Sequence, residues 1–142
     1  MKSENYIKLE FPSKSVNEGF ARAAAAAFAA QLDPTLEELG DIKTAVSEAV
    51  TNCIVHAYPD ALGKISMRLR ILAGGRLEIV VKDAGRGIED VRRAMEPMYT
   101  SDKSGERSGM GFSFMEAFMD AVEVESEPGR GTTVRMKKKI RG

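Results

Sequence analysis

The sequence predicts an α+β fold: a two-layer α/β sandwich with helices on one face of a mixed, mainly antiparallel sheet. Three observations carry it. Helical periodicity and strand alternation occupy separate blocks of the chain, the pattern of segregated layers. Two tight hairpins are legible, at Gly74-Gly75 and around Pro128-Gly129-Arg130-Gly131, and tight hairpins make antiparallel pairs. Finally, 142 residues suit a single domain over 1–142, long enough to bury roughly 68–70% of its unfolded surface without staples.

The elements follow in order. Ile7, Leu9 and Phe11 alternate along a strand from Tyr6 to Phe11, which Pro12 ends. Ser15 and Glu18 have capping-box spacing and open an alanine-rich helix that runs to about Leu32, where Asp33-Pro34 breaks it. Thr35 to Gly40 reads as a short turn segment or the opening of the next helix. From Asp41 to about Tyr58, the residues Ile42, Ala45, Val46, Ala49, Val50, Cys53 and Ile54 form a stripe at helical spacing. "KISMRLRIL" and "RLEIVVK" are the two strands flanking Gly74-Gly75. Ile88 to Met95 predicts a short helix. Pro97 to Ser108 is a long polar loop, a length that points to function or mobility. Gly109 to Asp120 predicts a helix with Met110, Phe114, Ala117 and Phe118 apolar. Ala121 to Glu127 and Thr132 to Ile140 complete the final hairpin. The basic stretch Arg135 to Arg141 reads as an edge strand charged against aggregation.

Composition narrows the function. Twenty-one basic and 21 acidic side chains give a formal net charge of zero, which argues against direct nucleic-acid binding. One cysteine, Cys53, can form no internal disulfide. The longest apolar run, Ala23 to Ala30, falls well short of the roughly 20 residues of a membrane span, and "MKSENYIKLEF" has no signal-peptide core. A cytoplasmic protein without membrane contact is expected.

Three motifs carry chemistry. In "SEAVTNCIVHA", Glu48, Asn52 and His56 recur every four residues, drifting by only about 40° per step around the helix. Such an edge is either a solvated face or an acid and amide lined up to serve a base and a divalent ion. "DAGRGI", Asp83 to Ile88, follows an apolar strand, and Gly85 and Gly87 serve either a turn or the close approach of a ligand. It is not a dinucleotide fingerprint, because Asp90 stands where the third glycine belongs. "GERSGMGFSF", Gly105 to Phe114, sets glycines before a helix start, where free N–H groups suit an anion, and Arg107 adds a fixed positive charge. No Gly-Lys-Ser/Thr follows, so it is not a Walker loop. Arg22, the only charge between Glu18 and Asp33, is either solvated or an anchor for a protein partner.

In this order the motifs resemble the ATP-binding fold shared by gyrase, heat-shock chaperones, histidine kinases and mismatch-repair ATPases, over roughly Ile42 to Val134. "KTAVSEAVTNCIVHAY" and "SGMGFSFMEAFMD" make the whole chain similar to one branch, the anti-sigma-factor serine kinases, and to its sporulation members. The resemblance implies roles. Asn52 would hold Mg²⁺ at the phosphates of ATP or ADP, and Glu48 would be the catalytic base. Asp83 would accept from the adenine amino group, with Gly85 and Gly87 shaping that pocket and Thr132 or Thr133 lining it. Pro97 to Ser108 would be a lid, contacting nucleotide through Thr100, Ser101, Lys103, Gly105, Arg107 and Ser108. Gly109, Met110, Gly111 and Phe112 would meet the phosphates, and His56 the nucleotide. Met110 and Phe112 stand where histidine kinases often carry leucine.

The implied function is an anti-sigma factor and protein serine kinase. It would bind a sporulation sigma factor of the sigma-F type and phosphorylate a serine of an anti-anti-sigma partner. The resemblance also implies a homodimer, for which Tyr6 to Phe11 and the alanine-rich helix offer a surface, and Arg22 would contact a partner. The alternative is a nucleotide-gated binding switch without phosphoryl transfer. A histidine autokinase fits less well, because the chain's one histidine, His56, lies inside the nucleotide motif.

Overall fold

The computed structural model describes residues 3–88, 91–95 and 111–142. The order is β1 (Ser3–Pro12), α1 (Val16–Ala29), a 3₁₀ turn (Ala30–Leu32), α2 (Leu36–Asn52) and a π-helical turn (Cys53–Ala57). Then come β2 (Lys64–Leu72), β3 (Arg76–Asp83), α3 (Val91–Ala94), α4 (Gly111–Phe118), β4 (Ala121–Glu127) and β5 (Gly131–Lys139).

The five strands form one sheet in the order β1-β2-β3-β5-β4. Every pairing among the described residues is antiparallel, so the sheet is not mixed. Gly74 and Gly75 both take positive φ, 83° and 72°, which turns β2 directly back into β3. β5 lies between β3 and β4, so the basic stretch beginning at Arg135 is not an edge strand. Within that stretch Arg135 pairs with Glu78 and Glu123 on the neighbouring strands, and Lys138 with Asp41 of α2. β1 and β4 are the edges.

α2 lies between α1 and α4 on one face of the sheet. Its stripe Ile42, Ala45, Val46, Ala49, Val50 and Cys53 is buried, as the spacing predicts. It meets Ile65, Met67, Leu69, Leu77, Ile79 and Val81 from the sheet's inner face. Burying a side chain of this size stabilises by about 1.5–3 kcal/mol, so this layer fixes the height of α2 above the sheet.

Two local expectations are corrected, and the choice left open at Thr35 to Gly40 is decided. Ser15 has helical backbone angles and no capping hydrogen bond: Glu18 N donates to the Ser15 carbonyl at 3.2 Å, and the Glu18 carboxylate is drawn to the Ser47 hydroxyl and to Arg22. The capping box is at Thr35: its hydroxyl accepts from Glu38 N at 3.0 Å, and Glu38 Oε1 accepts from Thr35 N at 2.9 Å. Thr35 to Gly40 is therefore the N-terminus of α2 and not a turn. On α4 the core face is Phe112 and Met115, followed by Met119 just beyond the helix. Phe114 is exposed and stacks on Phe118 from outside, with centroids 6.3 Å apart.

Candidate active site

α2, the β3 terminus, the β4–β5 turn and the start of α4 converge at one end of the sandwich. Helical spacing sets Glu48 and Asn52 one turn apart on α2, and Gly111 presses against both. A Cβ on Gly111 would lie 3.1 Å from Asn52 Oδ1 and 3.3 Å from Glu48 Oε2. Only a residue without a side chain lets the backbone at the start of α4 come this close to a carboxylate and an amide.

After Asn52 the helix widens. Tyr58 N donates to Cys53 O across 3.1 Å, the five-residue step of a π turn. His56 lies within this turn. The wider turn carries Ala57 onto the loop after β3: its carbonyl accepts from Arg86 N at 3.2 Å, and a Cβ on Gly85 would collide with it. Tyr58 completes the clamp. Its hydroxyl accepts from Ala84 N at 2.6 Å and donates to Lys64 O at 2.8 Å.

Asp83 ends β3 and is only 5% exposed. Its Oδ1 accepts from Gly85 N at 3.0 Å and Thr132 N at 3.1 Å, and its Oδ2 accepts from the Cys53 thiol at 3.4 Å. Burial raises its pKa above the ordinary carboxylate value, and these three donors pull the other way. Burial, followed by the Asp83 charge, pushes the Cys53 thiol well above its usual range, so it stays protonated and donates.

The opposite wall is built by Ser126. Its hydroxyl accepts from Ile88 N at 2.8 Å and donates to Gly131 O at 3.0 Å. With that proton committed, the Thr132 hydroxyl donates to Ser126 across 2.7 Å and keeps its own lone pairs open. Gly87 and Gly131 take positive φ, 76° and 90°, and a Cβ on either would run into the backbone of Glu127 or Asp83 respectively. The two loops thus lock together through their glycines.

The structure brings Glu48, Asn52, Asp83, Gly85, Gly87, Gly111 and Thr132 to this end of the sandwich. Phe112 turns its side chain into the core, so a nucleotide contact there falls to its backbone. The loop Pro97 to Ser108 and Thr100, Ser101, Lys103, Gly105, Arg107, Ser108, Gly109 and Met110 lie outside the described residues. Arg22 is on α1, paired with Glu18 at 3.5 Å. Cys53, Tyr58, Ser126 and Gly131 were not expected at the site. In the sequence Cys53 reads as an apolar position of the α2 stripe, and the others act through backbone contacts that no local pattern announces.

A five-stranded antiparallel sheet under three helices, with an acid and an amide beneath a glycine-led helix, defines a class of ATP-binding domain. The model of the histidine kinase-like ATPase domain matches residues 11–138, so the chain belongs to that family. Within it the chain belongs with the anti-sigma F factors. It is 59% identical to the anti-sigma F factor of Caldanaerobacter subterraneus subsp. tengcongensis, over 99% of this chain and 97% of that one. It is 57% identical to that of Clostridium botulinum strain Alaska E43, over 96% of each. Among solved structures, the RsbU and RsbW domains of Rv1364c from Mycobacterium tuberculosis align with a TM-score of 0.70 at 19% identity, over 96% of this chain and 32% of that longer one. The catalytic domain of the histidine kinase ThkA aligns with a TM-score of 0.59 at 15% identity, over 94% of this chain and 96% of that one. These two likenesses concern the fold alone.

Membership implies nucleotide binding. Among the described residues no helix is long and apolar enough to cross a membrane.

Proposed function

We propose that this chain is an anti-sigma factor and an ATP-dependent protein serine kinase, formed as one domain over 1–142. It binds a sporulation sigma factor of the sigma-F type and phosphorylates a serine of an anti-anti-sigma partner. The observation that carries this reading is the nearness of Gly111 to both Glu48 and Asn52, so close that a Cβ there would crowd the two side chains. It leaves a carboxylate and an amide oxygen side by side beneath a helix start, where phosphates and an attacking hydroxyl would meet.

The donor sets fit the ligands. Asp83 is a buried acceptor whose Oδ1 is filled by two backbone N–H groups, leaving Oδ2 to share with an adenine amino group. Thr132 offers acceptor lone pairs beside it. Gly85 and Gly87 shape that wall indirectly, by letting the loop after β3 close against Ala57 and Glu127. Among the described residues no three His, Cys, Asp or Glu side chains cluster as a metal cage. A single amide, Asn52, with phosphates and water completing the shell, suits Mg²⁺, which keeps several waters and takes few protein ligands. When bound, Mg²⁺ neutralises phosphate charge.

The protein's own work is positioning and proton transfer. Glu48 takes the proton of the partner's serine hydroxyl, and Asn52, one turn on, fixes the phosphate end. The N-terminus of α4 supplies N–H groups to the phosphates, joined by Gly109, Met110 and Arg107. Thr100, Ser101, Lys103, Gly105 and Ser108 close the lid, and His56 meets the nucleotide from the π turn.

Arg22 anchors a protein partner from α1, and β1, an edge strand with Tyr6 65% exposed, supplies a surface for a homodimer. Sedimentation as a monomer at micromolar concentration with nucleotide would remove the dimer.

The decisive experiment follows γ-labelled phosphate from ATP to a serine-bearing anti-anti-sigma protein. Wild-type protein should label it with acid-stable phosphate, and Glu48→Gln should bind ATP yet fail to transfer. Wild-type transfer by Glu48→Gln removes the base assignment. No transfer at all, with partner affinity still different in ATP and ADP, replaces the kinase with a nucleotide-gated switch.

A further inference from the structure

The sheet face turned away from the helices carries charge that the nucleotide chemistry does not use. Strand alternation brings Arg68 and Arg70 of β2, Glu78 and Lys82 of β3, and Arg135 and Lys137 of β5 to that face. Arg68, Val80 and Arg135 share one cross-strand row, and Arg70, Glu78 and Lys137 the next. Five cations thus surround one carboxylate in a chain of zero formal net charge.

That carboxylate is already committed. Glu78 is 3% exposed, and Arg70 takes its Oε1 with both Nε at 2.7 Å and Nη2 at 2.5 Å. Arg68 Nη2 and Arg135 Nε stand at 3.9 and 3.8 Å from Glu78, beyond hydrogen-bond range. Arg68 Nε is buried without a hydrogen-bond partner among the described residues. Arg135 reaches Glu123 only at 3.7 Å. Lys82 and Lys137 make no ion pair among the described residues. The patch therefore holds guanidinium and ammonium groups short of acceptors, with Glu78 anchoring their centre.

We propose that this face docks an acidic, extended polypeptide segment of a protein partner. Carboxylates match the planar fork of arginine. In an extended chain, alternate side chains on one side recur every ~6.6–6.8 Å, a spacing that lets successive carboxylates meet successive rows of the patch. The patch is three strands wide and bordered on the β4 side by acid: Glu123, Glu125 and Glu127 are exposed there, whereas β1 sets Lys8 opposite Arg68 and pairs Glu10 with Lys8 and Lys64. That border repels a nucleic acid or an anionic bilayer that overruns the patch. Tyr6 on β1, opposite Arg70, is a single aromatic side chain beside the patch and falls short of the successive stacking platforms that single-stranded nucleic acid uses. A second copy of the chain would set one basic centre against another.

The test measures fluorescence anisotropy of a labelled ten-residue peptide of alternating Ser and Glu, with the Ser-Gln peptide as neutral control. Lys82→Glu/Lys137→Glu changes the patch without touching a contact. Lys14→Glu/Lys43→Glu makes the same charge change elsewhere, at two exposed positions. The expected result is saturable binding of the Glu peptide alone, weakened with salt. It should be at least tenfold weaker in the first variant and within twofold of wild type in the second, with unchanged ATP binding and unfolding temperature in both. Equal loss in both variants, no binding by wild type, or tighter binding of a DNA duplex or phosphatidylserine vesicles to the same patch overturns the proposal.

Discussion

The Cys53 thiol donates to Asp83 Oδ2 across 3.4 Å, joining the helix that carries Glu48 and Asn52 to the strand end facing it. Both groups are buried, so the pair is shielded from solvent. Cys53 should resist a thiol reagent such as Ellman's at pH 8 and react as one equivalent only after denaturation. Cys53→Ala should cost about 1–3 kcal/mol, since it strips a donor from a buried carboxylate and leaves a small void. Cys53→Ser, which keeps a donor, should recover most of that loss. Chemical denaturation of the three proteins checks it, and rapid labelling of the native thiol would contradict the burial.

Asp83 gives the site a pH dependence with a defined sign. Its folded pKa is raised, chiefly by burial. The folded state therefore binds this proton more tightly than the unfolded chain does. The destabilising effect of its buried charge is present at neutral pH and relieved as pH falls through the folded value. Nucleotide binding should move the other way. Adenine's amino group needs the ionised acceptor, so ATP affinity should fall as pH drops through that value, and Asp83→Asn should flatten the profile. Calorimetric titration of ATP from neutral pH downward, for as long as the fold persists, reads both outcomes.

Gly111→Ala should separate chemistry from folding. The added methyl would stand 3.1–3.3 Å from the Asn52 amide and the Glu48 carboxylate, close enough to displace them by a few tenths of an ångström. Phosphoryl transfer should drop at least tenfold, because misplacement of this size is costly to catalysis. The unfolding temperature should rise or stay level, because alanine outranks glycine in a helix. A variant with full transfer would remove the crowding argument.

Gly87→Ala and Gly131→Ala should be structural failures. Each places a Cβ into backbone while demanding positive φ. A loss of about 2 kcal/mol or more is expected for each, with lower soluble yield. Thr35→Ala tests the relocated capping box and should cost about 1 kcal/mol. Ser15→Ala should cost nothing measurable at the helix start. Urea denaturation distinguishes the four.

Much of this was legible from periodicity. The α2 stripe, the Gly74-Gly75 hairpin and the β4–β5 hairpin rest on local patterns that tertiary contacts merely confirm. The missed features share one cause. Glu18 has capping-box spacing from Ser15, yet a hydroxyl 29 residues away on α2 competes for its carboxylate. β5 has the charge of an edge, but strand order is set by which hairpin lands where, and no window of sequence holds that information. At the site, type and spacing alone leave Glu48, Asn52, Asp83 and Gly111 open to a solvated face or a turn, and it is the resemblance of the motifs taken together that singles them out. Cys53, Tyr58 and Ser126 hold the site by reaching backbone or carboxylate groups on other elements.

The π turn at Cys53–Ala57 acts as a length adaptor. A regular helix would spend one residue fewer on the same turn, and Ala57 would swing by about 100° away from Arg86. Inserting an alanine after Val55 should therefore leave a sound helix whose end no longer meets the loop after β3. An added residue here would act as a register change between two otherwise intact halves of the domain, so related chains should vary in composition through this stretch without lengthening it.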